Sequence, residues 1–201
     1  MIALIDYGMG NLGSVSKALA RVGCEARITD DPDVVVGADG VVLPGVGAFD
    51  DCITNLTDRG LAAAVKKAVA AGTPFLGICL GLQMLFDSSE EGKLPGLGII
   101  PGKVVRFTHD LKIPQIGWNQ IDLKLPAPHL KDVPDKSWVY FVHSYYVVPE
   151  DPSIAATTTD YGYEFVSAIW KDNIFASQFH PEKSQAVGLK ILSNFAAFVE
   201  G

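Results

Sequence analysis

The chain has 201 residues, of which 48% are apolar and 19% are charged, and it is long enough to bury a substantial core. Its 16 basic and 23 acidic residues give a formal charge of −7, with no basic cluster, which excludes nucleic acid and anionic membranes as expected partners. No apolar run reaches the roughly 18 residues of a membrane span, and no secretory signal is visible. We expect a single cytoplasmic domain over residues 1–201.

The first half of the chain alternates short apolar runs with helical patterns. Strands are predicted at residues 2–5, 26–29, 40–43 and 73–78, and helices at 11–22, 50–56, 61–71 and 80–86. Strands that alternate with helices at this spacing indicate βαβ units and a mostly parallel sheet.

After residue 103 the chain is rich in Val, Thr and aromatic residues, which favour strands. Strands are predicted at 104–107, 138–148, 155–159, 165–170 and 174–179, with hairpin turns at 160–162 and 172–173. A last helix is predicted over 185–200. These patterns together predict an α/β fold with an antiparallel β elaboration in its C-terminal half.

Three cysteines are present, Cys24, Cys52 and Cys79. An odd number at wide spacing, without a secretory signal, argues against a disulfide framework, and no Cys-x-x-Cys pair or His-rich tract predicts a zinc site. Cys24 and Cys52 have no chemically suggestive neighbours, so we predict that they are structural.

Cys79 differs from the other two by its surroundings. It lies between Gly77 and Gly81 in G-I-C-L-G, after a predicted buried strand and before a predicted helix. This is the pattern of a nucleophile elbow, in which a reactive side chain projects from a sharp strand-to-helix turn. The helix N-terminus favours a thiolate, and the N–H of Leu80 can face a developing oxyanion. A buried, inert cysteine at a strand end is the alternative.

A base and its orienting group are predicted near the C-terminus, in the segment Q-F-H-P-E-K-S from Gln178 to Ser184. His180 follows a predicted strand, Pro181 restricts the backbone, and Glu182 lies two residues on. A cysteine nucleophile requires a base, and the imidazole requires an acceptor that sets its tautomer. Taken by itself, the segment could also be a surface histidine beside a capping glutamate.

The remaining histidines carry weaker signals. His109 and His129 lie in polar segments and are predicted to be solvated. His143 lies in the aromatic strand Y-F-V-H-S-Y-Y, where it is either a satisfied core residue or part of the site.

Two glycine-rich segments follow predicted strands. Pro44–Phe49 (P-G-V-G-A-F) can turn a backbone amide toward a reacting group, and it lacks the lysine and hydroxyl of a phosphate-binding P-loop. Gly8–Gly13 fits G-x-G-x-x-G only by letter, with Asp30 or Asp31 as weak support for a dinucleotide site.

The segments P-G-V-G-A-F, G-I-C-L-G-L-Q and F-H-P-E-K-S, in this order and separation, resemble those of the class I (triad) glutamine amidotransferases. The resemblance implies a flavodoxin-like core around a mixed, mostly parallel sheet flanked by helices. It implies glutamine as substrate, hydrolysed through a thioester on Cys79 with His180 and Glu182 completing the triad. No metal or organic cofactor is implied.

Within that class, D-Y-G-M-G-N (Asp6–Asn11), P-Q-I-G-W-N (Pro114–Asn119) and F-V-H-S-Y (Phe141–Tyr145) are similar to the glutaminase subunits of imidazole glycerol phosphate synthases. Such subunits pass ammonia to a cyclase partner with a (β/α)₈ barrel, within a heterodimer in histidine biosynthesis. The implied roles are the following: Val46 and Leu80 supply oxyanion amides; Gly45, Gly47, Gln83, His143, Ser144 and Tyr145 line the glutamine site; Asn11, Trp118 and Lys183 lie near the partner interface.

Three other functions remain open from the sequence. The same chemistry could serve another acceptor, as in the glutaminase subunits of pyridoxal phosphate, anthranilate or guanylate synthesis. A stand-alone γ-glutamyl hydrolase would use the same three residues. A regulatory binding subunit could keep the fold without activity, although an intact triad argues against it.

Overall fold

The computed structural model describes residues 1–201. The helices are α1 (Leu12–Arg21), α2 (Pro32–Val36), α3 (Phe49–Asp58), α4 (Leu61–Ala70), α5 (Leu80–Gln83) and α6 (Gln185–Glu200), with short 3-10 helices at Pro128–Leu130, Pro152–Ile154 and Pro181–Lys183. The strands are β1 (Ile2–Ile5), β2 (Ala26–Thr29), β3 (Gly40–Gly45), β4 (Phe75–Cys79), β5 (Ser88–Ser89), β6 (Gly102–Arg106), β7 (Gln115–Gln120), β8 (Asp122–Leu123), β9 (Trp138–His143), β10 (Tyr145–Pro149), β11 (Ala155–Asp160), β12 (Glu164–Lys171) and β13 (Ile174–Ser177).

Eleven of the strands form one mixed sheet in the order β2-β1-β3-β4-β13-β12-β10-β6-β5, with β11 and β8 branching from β12. The pairs from β2 through β13 are parallel, whereas β12 pairs antiparallel with β13, β10 and β11. Strands β7 and β9 form a separate antiparallel ribbon. The α/β fold with a mostly parallel sheet and an antiparallel C-terminal elaboration is thereby confirmed.

The parallel strands are apolar on both faces because helices cover both faces. Along β1, Ala3 and Ile5 pack into a core with α3 and α4, while Ile2 and Leu4 pack into a second core with α1 and α6. A strand buried on both sides reads as a continuous apolar run, which is the pattern of residues 2–5. None of the helices has the length and apolar character that crossing a membrane requires.

Three details differ from the sequence-based expectations. The predicted strand 138–148 is two strands, β9 and β10, which belong to different sheets and meet at Ser144. Helix α5 is a single turn that ends at Gln83, and residues 84–86 continue as turns. Helix α2 and strands β5, β7 and β8 were not predicted, because α2, β5 and β8 are too short for a periodic pattern and β7 offers only Ile116 and Trp118 as alternating apolar residues.

The prediction that His129 is solvated is wrong. Its side chain is fully buried, and the ring stacks on Phe175 with centroids 4.5 Å apart at an interplanar angle of 12°. Neither ring nitrogen has a hydrogen-bond partner. His109 is also only partly exposed, packed against Phe107 and Tyr161, and both of its ring nitrogens are buried. Both rings bury a flat, largely apolar surface, which outweighs the polar character of the neighbouring sequence.

The buried imidazole of His129 leads to an expected result for stability. Burial lowers its pKa from 6.5 to about 4. The unfolded chain therefore binds a proton below pH 6.5 that the folded chain does not bind until about pH 4, so stability falls across this window. At about 1.4 kcal/mol per pKa unit, the loss is about 3 kcal/mol.

His129→Phe keeps the stacked ring and removes the titrating nitrogens. We expect the variant to unfold at higher denaturant than the wild type at pH 7, because two unpartnered polar atoms are lost. We also expect the advantage to grow by about 3 kcal/mol between pH 6.5 and pH 4. Urea unfolding at several pH values measures both effects. The pKa of His143 is also lowered to about 4, but this residue is present in both proteins, so its contribution cancels in the comparison. If the free energies of unfolding of the two proteins differed by the same amount at every pH, the lowered pKa of His129 would be contradicted.

Candidate active site

The register of three parallel strands brings the candidate site together. Cys79 ends β4, and Gly45 at the end of β3 is its partner in the ladder. On the other side of β4, Ser177 at the end of β13 is paired with Ile78. The next residue of that chain, Gln178, therefore lies beside Cys79, and the chain continues to His180. Both segments meet at the carboxyl ends of the strands, where α/β sheets hold their ligands.

The backbone of Cys79 has the strained conformation expected of a nucleophile elbow. Its φ of 56° and ψ of −109° lie outside the regions that L-residues favour. The turn needs Gly81, because a Cβ there would come within 2.0 Å of the carbonyl oxygen of Leu43. The side chain of Cys79 is mostly buried, with 7% of the residue exposed at the wall of a cavity. The elbow predicted from G-I-C-L-G is thus present, and it aims the thiol into a pocket.

His180 and Glu182 form a buried pair at that cavity. The His180 Nδ1 atom lies 2.8 Å from Glu182 Oε1, with the two side chains 2% and 1% exposed. The backbone of His180 is held on both sides, since its N–H donates to the carbonyl of Tyr140 (2.9 Å) and its carbonyl accepts from the hydroxyl of Ser184 (2.7 Å). A carboxylate on Nδ1 directs the other nitrogen, Nε2, toward the cavity.

Two opposing effects act on the charge of the His180 ring. Burial disfavours the imidazolium, but the Cys79 thiolate and the Glu182 carboxylate favour it more strongly, and the pKa of His180 rises to about 10. The surroundings thus favour a protonated imidazole beside the Cys79 sulfur. Such a pair supplies a nucleophile and the acid that protonates a leaving group.

The two residues predicted to supply oxyanion amides, Val46 and Leu80, both line the cavity. Leu80 follows Cys79 directly, and Val46 follows Gly45, the ladder partner of Cys79. A Cβ on Gly45 would come within 2.8 Å of the Leu80 Cβ, so only glycine lets the two segments approach this closely. Gly47 has a φ of +110°, a conformation that glycine adopts freely.

Two buried side chains hold the strand that leads into this segment. The Tyr7 hydroxyl donates to the carbonyl of Pro44 (2.8 Å), and the Cys52 thiol lies 3.6 Å from the carbonyl of Val46. Burial raises the pKa of both groups, that of Cys52 to about 11, so both remain protonated donors. Cys52 is therefore a buried, unreactive thiol, in keeping with the structural role predicted for it.

The cavity at Cys79 has a volume of about 260 Å³, which suits a ligand of amino-acid size. Its lining includes the predicted residues Val46, Gly47, Leu80, Gln83, His143, Ser144, Tyr145 and His180, and the unpredicted residues Glu91, Pro114 and Val142. Gly45 lies one residue away, against Leu80. Glu91 follows another acidic residue in a loop, and no pattern in the sequence distinguishes it from a solvated surface charge.

His143 is both a core residue and a wall of the cavity. It is 6% exposed, and its Nδ1 donates to the carbonyl of Tyr145 at 2.8 Å. Gln83 points at the same carbonyl, with its Nε2 at 3.1 Å. The Tyr145 carbonyl therefore organises two side chains of the wall.

Comparison with known proteins agrees with this geometry. Residues 3–198 match the family described as glutamine amidotransferase class-I. The chain belongs to the class I glutamine amidotransferases. It is 59% identical to the imidazole glycerol phosphate synthase subunit HisH of Syntrophotalea carbinolica, over 97% of this chain and 98% of that protein. It is 55% identical to the HisH subunit of Thermosynechococcus vestitus, over 99% of this chain and 97% of that protein.

Solved structures of low sequence identity share the amidotransferase fold. PurLQS from Thermotoga maritima has a TM-score of 0.77 at 17% identity, covering 98% of this chain and 97% of that chain. The glutaminase domain of CTPS from Trypanosoma brucei has a TM-score of 0.66 at 16% identity, covering 98% of this chain and 93% of that chain.

Of the three residues expected near a partner interface, Asn11 and Lys183 lie close to the His180–Glu182 pair. Asn11 caps α1 and borders a small void shared with His180 and Glu182. The Lys183 ammonium lies 5.8 Å from the centroid of the Tyr140 ring. Trp118 is 42% exposed on β7. The ribbon also exposes Trp138 and Ile116, at 54% and 57%, which the sequence reasoning did not single out.

Proposed function

We propose that this chain is the glutaminase subunit of an imidazole glycerol phosphate synthase, a single domain over residues 1–201 that hydrolyses glutamine and supplies ammonia for histidine biosynthesis. The observation that carries the proposal is the buried His180–Glu182 pair beside the strained Cys79 elbow, in a chain 59% identical over nearly its whole length to a HisH subunit.

The reaction begins with acyl transfer to Cys79. The thiolate sulfur attacks the side-chain amide carbon of glutamine, and the carbonyl electron pair becomes an oxyanion. The N–H groups of Leu80 and Val46 stabilise that oxyanion. The imidazolium of His180 donates its Nε2 proton to the leaving nitrogen, so that ammonia departs and a glutamyl thioester remains.

Hydrolysis of the thioester regenerates the enzyme. Neutral His180 accepts a proton from a water molecule, whose oxygen attacks the thioester carbonyl. The carbon–sulfur bond breaks with its electron pair on Cys79, and glutamate leaves. Glu182 keeps the His180 ring in one tautomer and orientation through both steps.

One wall of the cavity carries a charge suited to the ammonium group of glutamine. Glu91 is the carboxylate of the lining other than the triad, and we assign it to the substrate ammonium. Burial raises its pKa, while the backbone N–H of Phe49 donates to it at 3.2 Å and stabilises the charged form. Gly47, Gln83, His143, Ser144 and Tyr145 surround the rest of the amino acid.

The partner is a cyclase with a (β/α)₈ barrel, which binds as a heterodimer at the ribbon face. We define this face by Asn11, Ile116, Trp118, Trp138 and Lys183. Exposed tryptophans are typical of residues that dominate binding at interfaces. Strand β9 of the ribbon contacts the site directly, because the Tyr140 carbonyl accepts from the His180 N–H.

The partner also gates the reaction, because a free glutaminase that ran continuously would waste ammonia. The Gly45–Gly47 segment is the gate: its glycines allow a peptide to rotate until the Val46 N–H faces the oxyanion. One missing donor of this kind lowers the rate by about 10² to 10³. We therefore expect the isolated chain to release ammonia weakly, and the cyclase with its nucleotide ligand to stimulate it by about 100-fold or more.

Ammonia release from glutamine, measured with and without the purified cyclase, tests the proposal. Trp138→Ala is expected to raise the cyclase concentration needed for half-maximal stimulation by about tenfold or more, the factor typical of a central aromatic contact. Ile28→Ala is the matched control, since Ile28 is 46% exposed on the edge strand β2. Full turnover by the isolated chain, unchanged by the cyclase, would favour a stand-alone hydrolase.

A further inference from the structure

One polar contact of the nucleophile has no role in the two chemical steps of glutamine hydrolysis. Gln178 is completely buried, and its Nε2 atom lies 3.6 Å from the Cys79 sulfur. The distance is suited to an N–H donor and sulfur, which is a larger acceptor than oxygen. Gln178 reaches this position because β13 runs parallel to β4 and ends one residue before the level of Cys79.

A chain of hydrogen bonds determines which end of the Gln178 amide faces the sulfur. The backbone carbonyl of Tyr145 can only accept, so the side-chain NH₂ of Gln83 must face it, at 3.1 Å. The second N–H of that group then donates to Gln178 Oε1, at 3.0 Å. With its oxygen held by Gln83, Gln178 presents its NH₂ group to Cys79.

We propose that Gln178 is a catalytic residue of this amidotransferase, whose side-chain N–H donates to the Cys79 sulfur and stabilises it as the thiolate. The inference rests on the proposed function and adds a donor to the nucleophile itself. It also assigns Gln83 a second task, to orient Gln178, beside lining the glutamine cavity.

The other neighbour of the sulfur has the opposite preference. The carbonyl oxygen of Val142 lies 3.9 Å from Cys79 Sγ and can interact favourably only with an S–H group. Gln178 favours the thiolate, and Val142 favours the thiol. The Gln178 donor thus serves twice, when the thiolate attacks the amide and when the breaking carbon–sulfur bond returns its electron pair to sulfur.

Alkylation of Cys79 by iodoacetamide tests the inference without requiring turnover. The thiolate is the reacting species, so the rate against pH follows its population. We expect Gln178→Met, which keeps the volume and removes the donor, to lower the rate at pH 6 by about tenfold, in line with a hydrogen bond to a charged group. The two rates should converge as the pH is raised.

Three further variants separate chemistry from folding. Gln178→Glu places a negative oxygen against the sulfur. Its rate of alkylation at pH 6 should therefore fall further than that of Gln178→Met. Ser167→Ala removes a fully buried hydroxyl one strand away, where it contacts Thr157 (2.8 Å), and should leave the profile unchanged. If Gln178→Met does not fold, Gln83→Leu frees the Gln178 amide to rotate and should give a smaller displacement in the same direction.

The outcomes distinguish the inference from the proposed function. If the wild type and all Gln178 and Gln83 variants show the same dependence of alkylation rate on pH, the role of Gln178 is overturned. The assignment of Cys79 as nucleophile then still stands. Failure of iodoacetamide to modify Cys79 ahead of Cys24 overturns the nucleophile assignment itself. A displaced profile in Ser167→Ala also would show that the effect is structural, and it overturns the inference.

Discussion

Cys79→Ala is expected to lower glutamine hydrolysis by at least about 10⁵-fold, both in the isolated chain and in its complex with the cyclase. The sulfur forms the only covalent bond to substrate in the proposed mechanism, and no neighbouring group can replace it. Cys52, the nearest alternative thiol in the core, is fully buried, and its pKa is raised to about 11. The measurement is ammonia release under saturating glutamine.

The loss should come from chemistry and not from unfolding. Cys79 fills little core volume, and the variant is expected to keep its cyclase affinity and to unfold near the wild-type temperature. Cys24→Ala, which truncates a half-buried thiol away from the cavity, is the matched control and should retain activity. Substantial turnover by a folded Cys79→Ala protein would falsify the nucleophile assignment.

His180→Asn is expected to cost more activity than Glu182→Gln. His180 transfers protons in both halves of the reaction, so its loss should approach that of Cys79, as with triad residues that act as a unit. Glu182 orients the ring and stabilises its charge, and removing such an orienting carboxylate costs around 10⁴-fold. Rates of ammonia release by the two variants, each in complex with the cyclase, give the comparison.

Glu182→Gln provides the sharper test because it changes charge and almost no volume. The amide can present either its oxygen or its nitrogen to His180 Nδ1, so the ring can adopt the wrong tautomer. The His180 pKa should fall, since one of the charges that raise it is gone. Wild-type activity in Glu182→Gln would mean that another group orients His180.

Much of the fold and of the site could be predicted from short segments. Residues 2–5, 26–29 and 61–71 have the periodicity of their elements, and the structure places strands or a helix there within one residue. Cys79 stands out because two glycines flank it between a predicted strand and a predicted helix, and His180 and Glu182 stand out because they flank a proline directly after another predicted strand. These features depend on steric and hydrophobic preferences of residues that are neighbours in the chain, so the sequence alone determined them.

Other features depend on pairing between distant strands, which no local pattern records. Residues 138–148 read as one strand, yet the chain changes sheets at Ser144, and that change builds the cavity wall. His129 lies in a polar segment and is buried because Phe175 and α6 close over its ring. Gln178 faces Cys79 only because β13 pairs in parallel with β4. The tertiary structure decided these contacts, since the register between strands is set by long-range packing of both cores.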